Sequence, residues 1–227
     1  MENHKYIDIT LDNKRNIMKN KNIKICILTL IILLIFPVFL FSSTNNINKS
    51  EFEKYRKYNN ITKYDTYFIK YSKQYFSVAF DWRNFKSQSI AESGLNPEAK
   101  SPVGAQGIMQ IMPLTYNEIR NKNKFVSGSV FDPKYAIPAG IYYDSTLFNS
   151  KLLTPKKTLQ DKIDYMMGSY NAGLGNIYKS QKECIEKKID DSKWDCVMQT
   201  LPLITGNFSK ETFEYVRRIK GIKEILK

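Results

Sequence analysis

Histidine is almost missing from this sequence, and the single one, His4, stands ahead of every segment with the composition of a folded domain. Cysteine is scarce too: Cys26, Cys184 and Cys196 form no Cys/His ligand cluster, which argues against a metal centre. Acidic residues are outnumbered, 22 Asp and Glu against 35 Lys and Arg, leaving a formal charge of +13. An excess of that size suits nucleic acid, an anionic membrane surface or an anionic wall polymer. No arginine-rich patch interleaves with aromatics, however, so nucleic-acid binding lacks its footprint and the charge reflects a general Lys-rich composition. Alternating apolar and polar runs of strand length are lacking, as is any internal repeat, so the expected class is mainly α. Apolar residues are not in deficit. They make up 42% of the chain, and thirteen Phe with fifteen Tyr can fill a core, which excludes disorder as the main state.

Long hydrophobic runs are limited to one. Residues 23–41 read IKICILTLIILLIFPVFLF, with a single charge at Lys24, and about 18–20 apolar residues suffice to span a bilayer. Lys14, Arg15, Lys19, Lys21 and Lys24 crowd its N-terminal side, while polar Ser42, Ser43 and Thr44 follow it. This asymmetry predicts a cytoplasmic segment over 1–22, a transmembrane signal anchor over 23–41, and an exported remainder in the cell envelope. A cleavable signal peptide is the competing reading, but no A-x-A-like pair of small residues precedes a cut site. The lipid-attached cysteine of a lipoprotein would follow the apolar stretch, whereas Cys26 lies near its start. Residues 42–60 read as a polar tether, leaving 61–227 for one domain. Cys184 and Cys196 both fall in the exported part, so a disulfide between them is expected.

Within 61–227 the apolar spacing is helical. Tyr64, Tyr67, Phe68, Tyr71 and Tyr75 make an aromatic stripe of three- and four-residue steps. A second pattern through Trp82, Phe85, Ser89 and Ile90 stops at Gly94, which puts Glu92 in a last turn. Further helices are predicted around Met109 to Arg120, around Ile137 to Phe148, from Thr158 to Tyr170 with a Thr-x-x-Asp start, and from about Lys210 onward.

The chemistry gathers in residues 89–113, SIAESGLNPEAKSPVGAQGIMQIMP. Glu92 ends a helix beside glycine, close to Ile90, Leu95 and a methionine-rich run, where partial desolvation raises a carboxyl pKa and keeps an acid protonated at neutral pH. A glutamate on a helix is ordinarily just solvent-facing. Here it is flanked by Ser93, Asn96-Pro97, Ser101-Pro102, Gly104-Ala105-x-Gly107 and Met109-Gln110-Ile111-Met112-Pro113, in order and without a gap. That run resembles the catalytic motif of soluble lytic transglycosylases. Ser169-Tyr170-Asn171-Ala172-Gly173 is similar to the Ala-Tyr-Asn-Ala-Gly motif of that family, with serine in place of alanine, and Glu211-Thr212-x-x-Tyr215-Val216 to its closing motif.

The resemblance implies a lysozyme-like bundle of helices, similar to goose-type lysozyme, with a cleft for the glycan strands of peptidoglycan and no cofactor. It implies that Glu92 is the catalytic acid and then base at the bond after N-acetylmuramic acid, with the C6 hydroxyl closing onto C1 to leave a 1,6-anhydro sugar. By family position Ser101, Gln110, Met112, Tyr170, Asn171 and Glu211 are expected in the cleft, although Glu211 equally suits a helix N-terminus. Tyr215, Val216 and Ile219 read as packing residues. Glycosidases commonly pair two carboxylates, but Glu98 and Asp132, the nearest in sequence, match no catalytic position, and Asp132 reads as a turn or helix-start residue. Two rival readings stand beside this one: a muramidase in which water attacks, and a catalytically idle wall-binding module of an envelope-spanning machine, which the retained Glu92 motif disfavours. The segment between Gly175 and Glu211 has no family counterpart and is expected to shape one end of the cleft.

Overall fold

The computed structural model describes residues 48–151 and 158–227. Among them the regular structure is helical: α1 (Lys49–Phe52), continued by 3-10 turns over Glu53–Asn60; α2 (Asp65–Tyr75); α3 (Arg83–Ser93); α4 (Pro113–Lys122); α5 (Pro133–Phe148); α6 (Leu159–Ala172); α7 (Leu174–Glu186); α8 (Trp194–Thr205); and α9 (Ser209–Ile225). Among the described residues, backbone pairing between extended residues is confined to isolated bridges, Lys100 with Gln106 and Gln106 with Ile111. The anchor expected over 23–41 lies outside the described residues. Among those described, no helix is long and apolar enough to cross a membrane.

α3 is the centre of the bundle. Every side chain from Asn84 to Ile90 is buried, although only Phe85 and Ile90 are apolar. Most of its polar groups are answered, Gln88 Oε1 being the exception among the described residues. Lys86 Nζ reaches Asp65 of α2 at 2.8 Å and the Ile61 carbonyl at 3.0 Å, and Ser89 Oγ donates to the Ile108 carbonyl at 2.9 Å. A helix buried all round needs such partners, since each unanswered polar group carries a desolvation penalty. α9 and α2 pack directly on α3, α6 packs on α5 and α9, and α7 lies against α8.

Several boundaries differ from expectation. The helix anticipated around Met109 begins only at Pro113, because Gln106 and Ile111 exchange backbone hydrogen bonds at 2.9 and 3.0 Å and hold the intervening residues in a turn. Proline at the first helical position then fixes the start. α5 starts four residues before Ile137, capped by Asp132, whose Oδ1 accepts from the Lys134 N–H at 2.9 Å. Thr158 caps α6 through the Asp161 N–H, as the start signal implied. The uncharted stretch after Gly175 folds as the antiparallel partners α7 and α8, cross-linked by a disulfide between Cys184 and Cys196 with Cα atoms 5.9 Å apart.

The tether expected over 42–60 is corrected at its C-terminal end, since from Lys49 onward it is folded onto the domain. Phe52 is 1% exposed and lies so flat against Gly221 of α9 that a Cβ there would stand 2.4 Å from its ring. The Arg217 guanidinium covers the ring, 5.3 Å from its centroid, and pairs with Glu51 at 2.6 Å. Asn59 Nδ2 donates to the Ile225 carbonyl at 3.1 Å. A single buried aromatic therefore converts a polar segment into part of the core.

Candidate active site

Glu92 stands at the end of α3, where two successive left-handed residues, Gly94 (φ 63°) and Leu95 (φ 61°), turn the chain sharply. The Gly94 N–H closes the helix on the Ile90 carbonyl at 2.9 Å. Beyond the turn, the loop of residues 96–112 is lashed back to α3 by Ser89 and Ser93, whose hydroxyls both donate to the Ile108 carbonyl, at 2.9 and 2.8 Å. Gly107 (φ 75°) permits this path, because a Cβ there would meet the Val130 carbonyl oxygen at 2.1 Å. Chain geometry thus fixes the catalytic candidate from both sides.

α9 supplies the direct partner. The Tyr215 hydroxyl donates to Glu92 Oε1 at 2.6 Å, so this tyrosine, expected only to pack, also holds the carboxyl. Desolvation raises the Glu92 pKa to about 7; the Tyr215 hydrogen bond and the Arg218 charge oppose the rise, and the Glu211 charge adds to it. A carboxyl in this range donates a proton at neutral pH and takes one back.

The other anticipated residues fall into three groups. Tyr170 of α6 lies in the electrostatic surroundings of Glu92, its hydroxyl donating to the Met109 carbonyl at 2.8 Å. Asn171 and Glu211 line a cavity of about 450 Å³ together with Asn176, Ile204, Phe208 and Thr212. There the Thr212 hydroxyl donates to Asn171 Oδ1 at 2.8 Å. Met112 is exposed, at 45%. Ser101 and Gln110, by contrast, build the loop. Ser101 Oγ accepts from the Ala105 N–H at 2.9 Å, and Gln110 Nε2 donates to the Ala99 and Gly107 carbonyls at 3.1 and 2.9 Å. Gln110, expected in the cleft, thus has its amide hydrogens already engaged by the backbone.

A second carboxyl does approach Glu92, and it is neither Glu98 nor Asp132. Asp144 of α5 is fully buried, receives a hydrogen bond from Gln88 Nε2 at 3.3 Å, and feels the Glu92 charge. With no exposed surface it cannot reach water or a sugar. Its place, one residue along a helix predicted only from apolar spacing, carried no signal in the sequence.

Residues 67–193, more than half of the chain, match the family model described as the transglycosylase SLT domain. The chain belongs to this family. Among curated relatives of this SLT chain is the membrane-bound lytic murein transglycosylase F of Shewanella halifaxensis, 29% identical over 163 residues, covering 70% of this chain and 31% of the relative. The protein of the same name from Vibrio vulnificus is 30% identical over 145 residues, 63% of this chain and 26% of the relative. The SLT chain therefore spans less than a third of the length of these relatives. An inactive mutant of the lytic transglycosylase Slt from Pseudomonas aeruginosa shares the fold with a TM-score of 0.52 at 21% identity, over 71% of this chain and 23% of that one.

Proposed function

We propose that this chain is a peptidoglycan lytic transglycosylase that cuts the bond between N-acetylmuramic acid and N-acetylglucosamine. The observation that carries the reading is Glu92, a carboxyl raised to about 7 and gripped by Tyr215, in a family whose named relatives are lytic murein transglycosylases. Glu92 protonates the leaving oxygen as oxocarbenium character develops on the sugar. The substrate's acetamido group steadies that cation, and the Glu92 carboxylate then withdraws the C6 hydroxyl proton as this oxygen closes onto C1. Attack from within one sugar needs no positioned water and gains from proximity. The full burial of Asp144 supports a mechanism with one catalytic carboxyl. Tyr170, Asn171, Met112 and Glu211 hold the glycan, while Ser101 and Gln110 act by shaping the loop behind it. Residues 23–41 anchor the chain in the inner membrane with the domain on the outer side of the bilayer; the apolar run and its basic flank support this.

Mass analysis of muropeptides released from purified peptidoglycan tests the chemistry. Products are expected one water lighter than hydrolysed counterparts and resistant to borohydride. Reducible products carrying heavy oxygen at C1 after digestion in labelled water make the protein a muramidase.

A further inference from the structure

Asp144 takes no part in the reaction proposed above, and among the described residues no cation acts on it. The groups that face it are acids and phenols: Glu92 from α3, Tyr170 from α6, Tyr215 from α9, and Tyr143 beside it on α5. Its Oδ1 accepts from Gln88 Nε2 at 3.3 Å. Its Oδ2, and the Oε1 of the same Gln88, are buried and without any partner among the described residues. A carboxylate oxygen and an amide carbonyl bring only lone pairs to such an encounter. One proton on Oδ2 resolves both deficits together: it is donated to Gln88 Oε1, while the Gln88 Nε2–H is donated to Asp144 Oδ1. The result is a two-bond acid–amide ring in a dry interior, where an unanswered polar atom is costly.

We infer that Asp144 is held as a neutral carboxylic acid, doubly hydrogen-bonded to Gln88, and that this pair is the positioning support of Glu92. The inference rests on the reading of Glu92 as the catalytic carboxyl. Gln88 and Glu92 lie four residues apart on α3 and therefore on one face, so the pair ties α3 to α5 one turn below the catalytic group. Burial holds the Asp144 proton well above the usual carboxylate range; the Gln88 hydrogen bond opposes this and the Glu92 charge adds to it. Neutrality has a use in turnover. A charged Asp144 would repel the Glu92 carboxylate that the first proton transfer must create.

Infrared difference spectroscopy of the full chain in heavy water reads the protonation directly. In a Glu92→Gln background at neutral pH, adding Asp144→Asn is expected to remove a protonated-carboxyl carbonyl band. Loss of carboxylate bands instead overturns the neutral acid. No substrate enters that measurement, so its result stands even if the chain fails to cut peptidoglycan, which would defeat the functional reading alone. The positioning role is read with Glu92 intact. Asp144→Leu strands the Gln88 amide and is expected to lower turnover about tenfold to a hundredfold at unchanged KM. Asp144→Asn keeps both hydrogen bonds without a titrating proton and is expected to restore the rate with the pH profile unmoved. Full activity in Asp144→Leu, or equal loss in Asp144→Asn, overturns the positioning role. Should Asp144→Leu not fold, Gln88→Met, which keeps side-chain length but not the amide, carries the same expectation.

Discussion

Glu92 combines a helix end, a phenol donor and a dry setting, and its consequences are measurable one atom at a time. Glu92→Gln keeps the shape but cannot deliver a proton, so glycan cleavage is expected to fall by about 10²–10⁴-fold, measured as muropeptide release. Stability responds with a definite sign. The folded-state pKa of about 7 stands above the ordinary 4.5, so the contribution of this group is complete below the ordinary range and is lost as pH rises through about 7. Melting temperatures of parent and Glu92→Gln should therefore agree at about pH 4 and below and diverge in favour of the variant by about pH 8. Tyr215→Phe removes a hydrogen bond that favours the charged carboxylate, and the alkaline limb of kcat/KM should move to higher pH. As a candidate, Glu92 stood out in the sequence because an unbroken motif surrounds it. The Tyr215 contact was not, since it joins positions 123 apart. A tyrosine on a buried helix face, where phenylalanine would pack as well, is the one signal that a partner for its hydroxyl was waiting.

At the level of elements, aromatic and apolar spacing foretold α2, α6 and α9 to within a few residues. It undersold α3. Serines, glutamine and lysine fill most of its buried surface, so hydrophobic periodicity could not reveal that this helix is central; only the partners supplied by α2, α5 and the loop make such a sequence buriable. α7 and α8 escaped for a related reason, since Ser180 and Thr200, 2.7 Å apart, sit within their interface. The disulfide joining this pair was foreseen from compartment and spacing. Replacing both cysteines with serine should cost at most about 3 kcal/mol for so short a loop, read by denaturant titration, with the secondary structure retained. The turn after α3 is less forgiving. Gly94→Ala forces a left-handed alanine, a penalty of roughly 1–2 kcal/mol, and sets its Cβ 2.9 Å from the Tyr58 hydroxyl; both melting temperature and cleavage rate should drop.

For the whole molecule, the boundary of the folded domain matters most. A purified fragment starting at about Asn48 should melt as a cooperative helical domain by circular dichroism, whereas one starting after Asn60 loses Phe52 and its contacts. Phe52→Ala alone should destabilise by about 3–5 kcal/mol, as truncations of buried aromatics do. Composition concealed this, because one ring in an otherwise polar stretch leaves no periodic trace. The clasp also has a bearing on biosynthesis. α9 is made after every other described helix, yet it closes on α1, covers α3, and brings the phenol that grips Glu92. A nascent chain consequently has Glu92 well before it has the tyrosine that holds its carboxyl. The Glu92 carboxyl acquires its tyrosine partner only when α9 has docked, so the completed site and the completed packing of the described helices arrive together.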